Sequence, residues 1–70
     1  MKNKVKNLRE QKGWSQRYLA SLCGVSYQTI SRIESGERVP LVTTAHVIAA
    51  VLGVDVVTVF PELSEVEDGY

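Results

Sequence analysis

The amino-acid sequence predicts an all-α fold, and three observations carry the prediction. Apolar residues recur at helical spacing, most regularly Ala45, Ile48, Ala49 and Leu52 at i, i+3, i+4 and i+7. A small polar residue able to cap a helix stands before four of the segments, at Asn3, Ser15, Ser26 and Asp55. A glycine follows four of them, at Gly13, Gly24, Gly36 and Gly53. Seventy residues make one domain at most, and a chain of that length buries only about 60% of its unfolded surface, so its stability margin is thin.

Asn3 caps a first helix over residues 4–12, with Val5 and Leu8 on one face and Gly13 at its end. Ser15 caps a second over residues 16–23, in which Leu19, Ala20 and Cys23 share a face and which Gly24 closes. Ser26 caps a third over residues 27–35, with Ile30 and Ile33 turned inward and Gly36 beyond it. Pro40 breaks the chain in a loop, and a fourth helix covers residues 43–52 up to Gly53. Asp55 caps a last short helix, residues 56–60, stopped by Pro61. The run VDVVTVF is β-branched enough to suit a strand, but no second strand is available to pair with it, so helix is the expectation. The domain is therefore expected over residues 1–61, followed by a loose acidic tail over residues 62–70.

The formal net charge is zero, whereas a nucleic-acid binder usually carries a basic excess. The distribution reverses that impression. Residues 1–38 hold all eight Lys and Arg side chains against three acids, a net of +5, and residues 39–70 hold five acids and no base, a net of −5. A globule of this size has a radius of gyration of about 11 Å, so its poles can stand further apart than the screening length of about 10 Å at 0.1 M salt. The basic end can still attract phosphate.

The single cysteine, Cys23, makes no internal disulfide and no Cys/His cluster has metal-ligand spacing, so a reduced, cytoplasmic setting without metal or cofactor is expected. No apolar run suffices for a signal peptide or for a span of about 20 residues, and no membrane association is expected. No nucleophile with a base, carboxylate pair or metal cluster is visible, so the chain is not expected to be an enzyme.

The second and third helices are joined by a three-residue turn containing Gly24, the helix-turn-helix arrangement whose second helix enters the DNA major groove. That motif needs a small residue where its helices cross, glycine where the turn takes positive φ, and apolar residues where the second helix leans on the core. Ala20, Gly24, Val25, Ile30 and Ile33 meet these demands, so the motif spans residues 16–35 and double-stranded DNA is the expected partner.

Residues 4–60 resemble the Cro and phage-repressor type of helix-turn-helix domain, the XRE family. The resemblance rests on LREQKGWSQRYLA, CGVSYQTISRIESGERVP and HVIAAVLGV, which together match the pattern LRxxxGxSQxxLAxxxGVSxxTISxxExGxxxP. It implies a compact five-helix, lambda-repressor-like bundle that binds operator DNA as a two-fold dimer and regulates transcription. It also implies that Gln16 contacts a phosphate and buttresses the recognition helix. By the same resemblance Arg9 and Glu34 form a partly buried salt bridge between the first helix and the end of the third, a structural role that keeps both out of the DNA site.

On the recognition helix, Tyr27, Gln28, Ser31 and Arg32 lie away from Ile30 and Ile33. Gln28 can pair with adenine N6 and N7 and Arg32 with guanine O6 and N7, each contact worth about 1–3 kcal/mol of discrimination. Ser26 and Tyr27 could meet a thymine methyl or a phosphate. Arg17, in the first turn of the second helix, and Arg38, in the loop after the third, are phosphate candidates. The rival interpretation of this face is a merely solvated polar surface.

The fourth helix departs from the family. Where the family reads KIAKALGV, this chain reads VIAAVLGV, with Val47, Ala50 and Val51 at positions where solvent is expected. A helix apolar all round is buried on both sides, and so short a chain lacks the material to cover both. A homodimer interface within residues 43–60, built on Val47, Ala50, Val51, Val57 and Val59, is therefore expected, against the alternative of scattered surface apolars. Tyr18 and Leu22 also replace polar residues, and Trp14 is expected to pack locally at the junction of the first two helices. Cys23 is expected to be a buried structural thiol rather than a redox sensor, and His46 an ordinary surface or interface residue. The functional expectation is a sequence-specific transcriptional regulator, a dimeric repressor reading a palindromic operator. The rival is an antitoxin-like or adaptor module that holds a protein partner with the apolar fourth helix and the acidic tail.

Overall fold

The computed structural model describes residues 1–63, and among the described residues five helices are complete, α1 (Val5–Gln11), α2 (Gln16–Cys23), α3 (Tyr27–Glu34), α4 (Val42–Leu52) and α5 (Val56–Val59). No strand occurs among the described residues. The β-branched run forms a single helical turn, in which Phe60 N donates to Val56 O at 2.8 Å. Its stability comes from burial, because Val59 and Phe60 are sealed in the core.

Helices α2 and α3 begin where a serine hydroxyl satisfies an amide that the helix itself cannot. The Ser15 hydroxyl accepts from Tyr18 N at 3.0 Å, and the Ser26 hydroxyl accepts from Thr29 N at 3.3 Å. Between them Gly24 adopts φ +72° and its amide, like that of Val25, returns to Ala20 O. A Cβ added at Gly24 would meet nothing within 4 Å, so the turn demands glycine for its dihedral angle alone.

The other helix starts differ from the sequence expectation. Helix α1 begins at Val5, one residue later than expected, and Lys4 holds its cap position. Asn3 still serves it, accepting from Val5 N at 3.1 Å while its amide donates to Ile33 O at 2.8 Å and so ties α1 to the end of α3. Helix α4 begins one residue earlier, at Val42, without a side-chain cap. Asp55 occupies the cap position of α5, but its side chain accepts no bond from the helix. That turn is held by backbone bonds and its buried side chains.

Helix α2 packs against α3 and α4, α4 against α5, and α1 against α3 and α4. Val5, Leu19, Ile30, Ile33, Ile48, Val59 and Phe60 are fully buried at the shared centre. Lys4 N donates to Val59 O at 2.9 Å, closing the start of α1 onto α5. Of the tail expected to be loose, Glu62 is exposed and Leu63 is buried with this core; residues 64–70 lie outside the described residues. The Cα radius of gyration is 11.2 Å. No described helix is long and apolar enough to cross a membrane.

Candidate nucleic-acid interface

Helix α3 is held from behind by a charged network. Arg9 Nε donates to Glu34 Oε2 at 2.7 Å and its Nη2 to Glu34 Oε1 at 3.1 Å, a two-point contact between α1 and the last residue of α3. The third arm, Nη1, donates to Trp14 O at 2.7 Å, which fixes the α1–α2 junction. Gln16 Nε2 donates to Glu34 Oε1 at 3.0 Å, so the first residue of α2 joins the same carboxylate. The Glu34 side chain is only 4% exposed. Burial of the pair is tolerated because its polar atoms are matched, and no buried side-chain nitrogen or oxygen among the described residues lacks a partner. The hydrogen bond that Arg9 donates to Glu34 raises the Arg9 pKa above its ordinary value, against the opposing pull of desolvation. The Arg9 guanidinium therefore carries its charge at every ordinary pH.

In front of this network, Ser26, Gln28 and Arg32 are exposed, whereas Tyr27 and Ser31 are half-buried. Ser26 shares its hydroxyl with Thr29 Oγ1 at 3.0 Å in addition to capping α3. The Tyr27 ring packs against the core edge and carries the Arg17 guanidinium 3.9 Å from its centroid. Arg32 Nε stands 3.5 Å from Glu37 Oε2, both side chains more than half exposed. Such a pair is worth about 0–1 kcal/mol, so Arg32 is readily released to another partner. Arg38 is exposed, its backbone amide bound to Arg32 O at 3.1 Å.

Two members of this surface were not singled out in the sequence. Glu37 comes beside Arg32 because the turn after α3 folds back. Lys6 lines, with Gln16, Ser31, Glu34 and Ser35, a cleft of about 220 Å³ between α1, α2 and α3. The run Lys2, Lys4, Lys6 was the available signal for the second.

The apolar outer face is smaller than expected on one side and larger on the other. Val47 is 43% exposed, Val57 is 38% exposed and Ala50 is exposed. Val51 is half-buried against the core, and Val59 is fully buried. The expectation for Val59 is corrected: within one helical turn, residues three apart share a face, and Val56 and Val59 turn inward while Val57 turns out. Val39, Leu41 and Val42, the apolar residues around Pro40, are all exposed, Leu41 at 71%.

Trp14 meets Tyr18 edge to face at 5.3 Å, and Lys12 Nζ lies 5.2 Å from the Trp14 ring centroid, which is local packing. Leu22 and His46 are exposed. Cys23 is half-buried, and desolvation pushes its thiol pKa up.

The helix-turn-helix family HTH_3 matches residues 5–59, and the chain belongs to this XRE-type family of DNA-binding transcriptional regulators. A relative in Bacillus subtilis (strain 168), the HTH-type transcriptional regulator YgzD, is 52% identical over 40 residues, 57% of this chain and 61% of the relative. The structure of the clp gene regulator ClgR from Corynebacterium glutamicum aligns with a TM-score of 0.75 at 26% identity, over 87% of this chain and 65% of that one. An HTH_3 family transcriptional regulator from Vibrio cholerae aligns at 0.72 and 36% identity, over 83% of this chain and 33% of that one. The hypothetical transcription factor NHTF from Neisseria aligns at 0.73 and 31% identity, over 77% of this chain and 61% of that one. The chain thus spans about three fifths of the length of the curated relative it matches.

Proposed function

We propose that the chain is a sequence-specific transcriptional regulator acting in the cytoplasm as a dimeric repressor, with α3 in the major groove of a palindromic operator. The observation that carries this reading is a short helix locked from behind by Arg9, Gln16 and Glu34 while Gln28 and Arg32 stand exposed in front. Gln28 and Arg32 read base edges. Ser26, Tyr27 and Ser31 meet the thymine methyl or backbone beside them. Gln16, Arg17 and Arg38 hold phosphates, and the cleft lined by Lys6 offers a further cation there. Arg9 and Glu34 stay structural.

Two copies joined through Val47, Ala50, Val57 and the exposed edge of Val51 present two such helices about one DNA turn apart. The names of ClgR and YgzD support a regulatory role. A second reading, an adaptor or antitoxin-like module, is favoured by the exposed Val39, Leu41, Val42 and Val47, an apolar surface suited to a protein partner. A gel shift on the DNA upstream of the chain's own gene separates the two. Retardation at low salt that resists unrelated competitor DNA is the expected result; absence of any complex at low salt, where phosphate attraction is strongest, overturns the regulator reading in favour of the adaptor.

A further inference from the structure

Arg17 and Tyr27 stand in the first turns of the two helices of the motif. The guanidinium carbon lies 3.9 Å from the ring centroid, and among the described residues Arg17 has no acidic partner. The ring packs against the core, so it is a half-fixed platform rather than a free side chain. A guanidinium stacked by its face keeps its N–H donors pointing outward in its own plane. Arg17 can therefore hold the ring and a phosphate oxygen at the same time.

We propose that Arg17 is a positioning residue for base recognition: it fixes the Tyr27 ring at the head of α3 while its edge grips the DNA backbone. One rigid pair then sets both the register on the backbone and the base that Tyr27 meets. This role rests on the DNA-reading function proposed above. It requires a planar cation, because an ammonium carries the same charge without the stacking face or the fork of donors.

The test uses the full chain, a duplex selected by the wild-type protein from a random pool, and an unrelated duplex, with affinity read by fluorescence anisotropy across salt concentrations. Arg17→Lys keeps the charge and loses the planar stack; Tyr27→Leu loses the ring and Tyr27→Phe keeps it. Arg17→Lys and Tyr27→Leu should each weaken binding to the selected duplex by about 2- to 30-fold and relax preference at the same base pair. Their losses should not multiply in the double variant. Arg17→Lys should leave the salt slope unchanged and weaken binding to the unrelated duplex less than to the selected one, and Tyr27→Phe should keep the wild-type base preference. Should Tyr27→Leu fail to fold by circular dichroism, Arg17→Lys and Tyr27→Phe still decide.

Wild-type affinity and base preference in Arg17→Lys overturns the proposal, as does an equal loss on both duplexes, which marks a plain phosphate contact. A wild-type protein that binds no duplex at low salt overturns the DNA-reading function itself, and this role with it, even where upfield-shifted Arg17 methylene protons show the stack in the free protein.

Discussion

Glu34 is where three parts of the chain converge, through Arg9 from α1, Gln16 from α2 and its own place at the end of α3. Arg9→Ala would leave that carboxylate buried without its cation, a loss of about 3–5 kcal/mol. A 70-residue domain has about 3.5–10 kcal/mol in all at about 0.05–0.15 kcal/mol per residue, so the variant should be largely unfolded or melt in low urea, as circular dichroism would show. Arg32→Ala removes only an exposed pair and should leave the urea midpoint nearly unchanged while weakening DNA binding. Cys23 adds a pH dependence. Burial raises its folded pKa, so its contribution is complete below the unfolded thiol value of about 8.5 and is lost as pH rises through the folded value. Urea midpoints of wild type should therefore fall from pH 7 to alkaline pH more steeply than those of Cys23→Ala; parallel curves would contradict this.

At the scale of elements, Gly24 holds the turn between α2 and α3 in a left-handed conformation with open space around it. Gly24→Ala should therefore cost about 1–2 kcal/mol of strain and no clash, lowering Tm by about 4–8 °C per kcal/mol. Helices α2 and α3 were legible because each carries its own start and stop, Ser15 and Gly24 for one, Ser26 and Gly36 for the other. The face of α5 was not, since four residues give no repeat from which to assign a phase, and packing alone turned Val59 inward and left Asp55 without a capping bond. The exposed positions Gln28 and Arg32 followed from the period of α3. Tyr27 proved half-buried because the first turn of α3 leans on the core. The Arg9–Glu34 pair, 25 residues apart in sequence, was legible only through the family pattern, and the meetings of Arg17 with Tyr27 and of Arg32 with Glu37 came from the folded chain alone.

At the scale of the whole molecule, all eight Lys and Arg side chains lie in residues 1–38, the part of the sequence that contains α3. Arg38→Ala should weaken binding to every sequence alike and reduce the salt slope by about one, because a phosphate contact carries no sequence information. One helix-turn-helix unit offers few phosphate contacts, so affinity should depend on a second copy. Sedimentation at tens of micromolar should give a dimer for wild type and a monomer for Val47→Glu; a monomeric wild type would contradict the dimer. The central claim is that α3 reads DNA sequence through Gln28 and Arg32. It is tested most directly by anisotropy titration of a duplex selected by wild type against the Gln28→Ala/Arg32→Ala double variant, folding checked by circular dichroism. With each contact worth about 1–3 kcal/mol, the account predicts a loss of at least about 30-fold on that duplex; a natively folded double variant that binds it as tightly as wild type would contradict it.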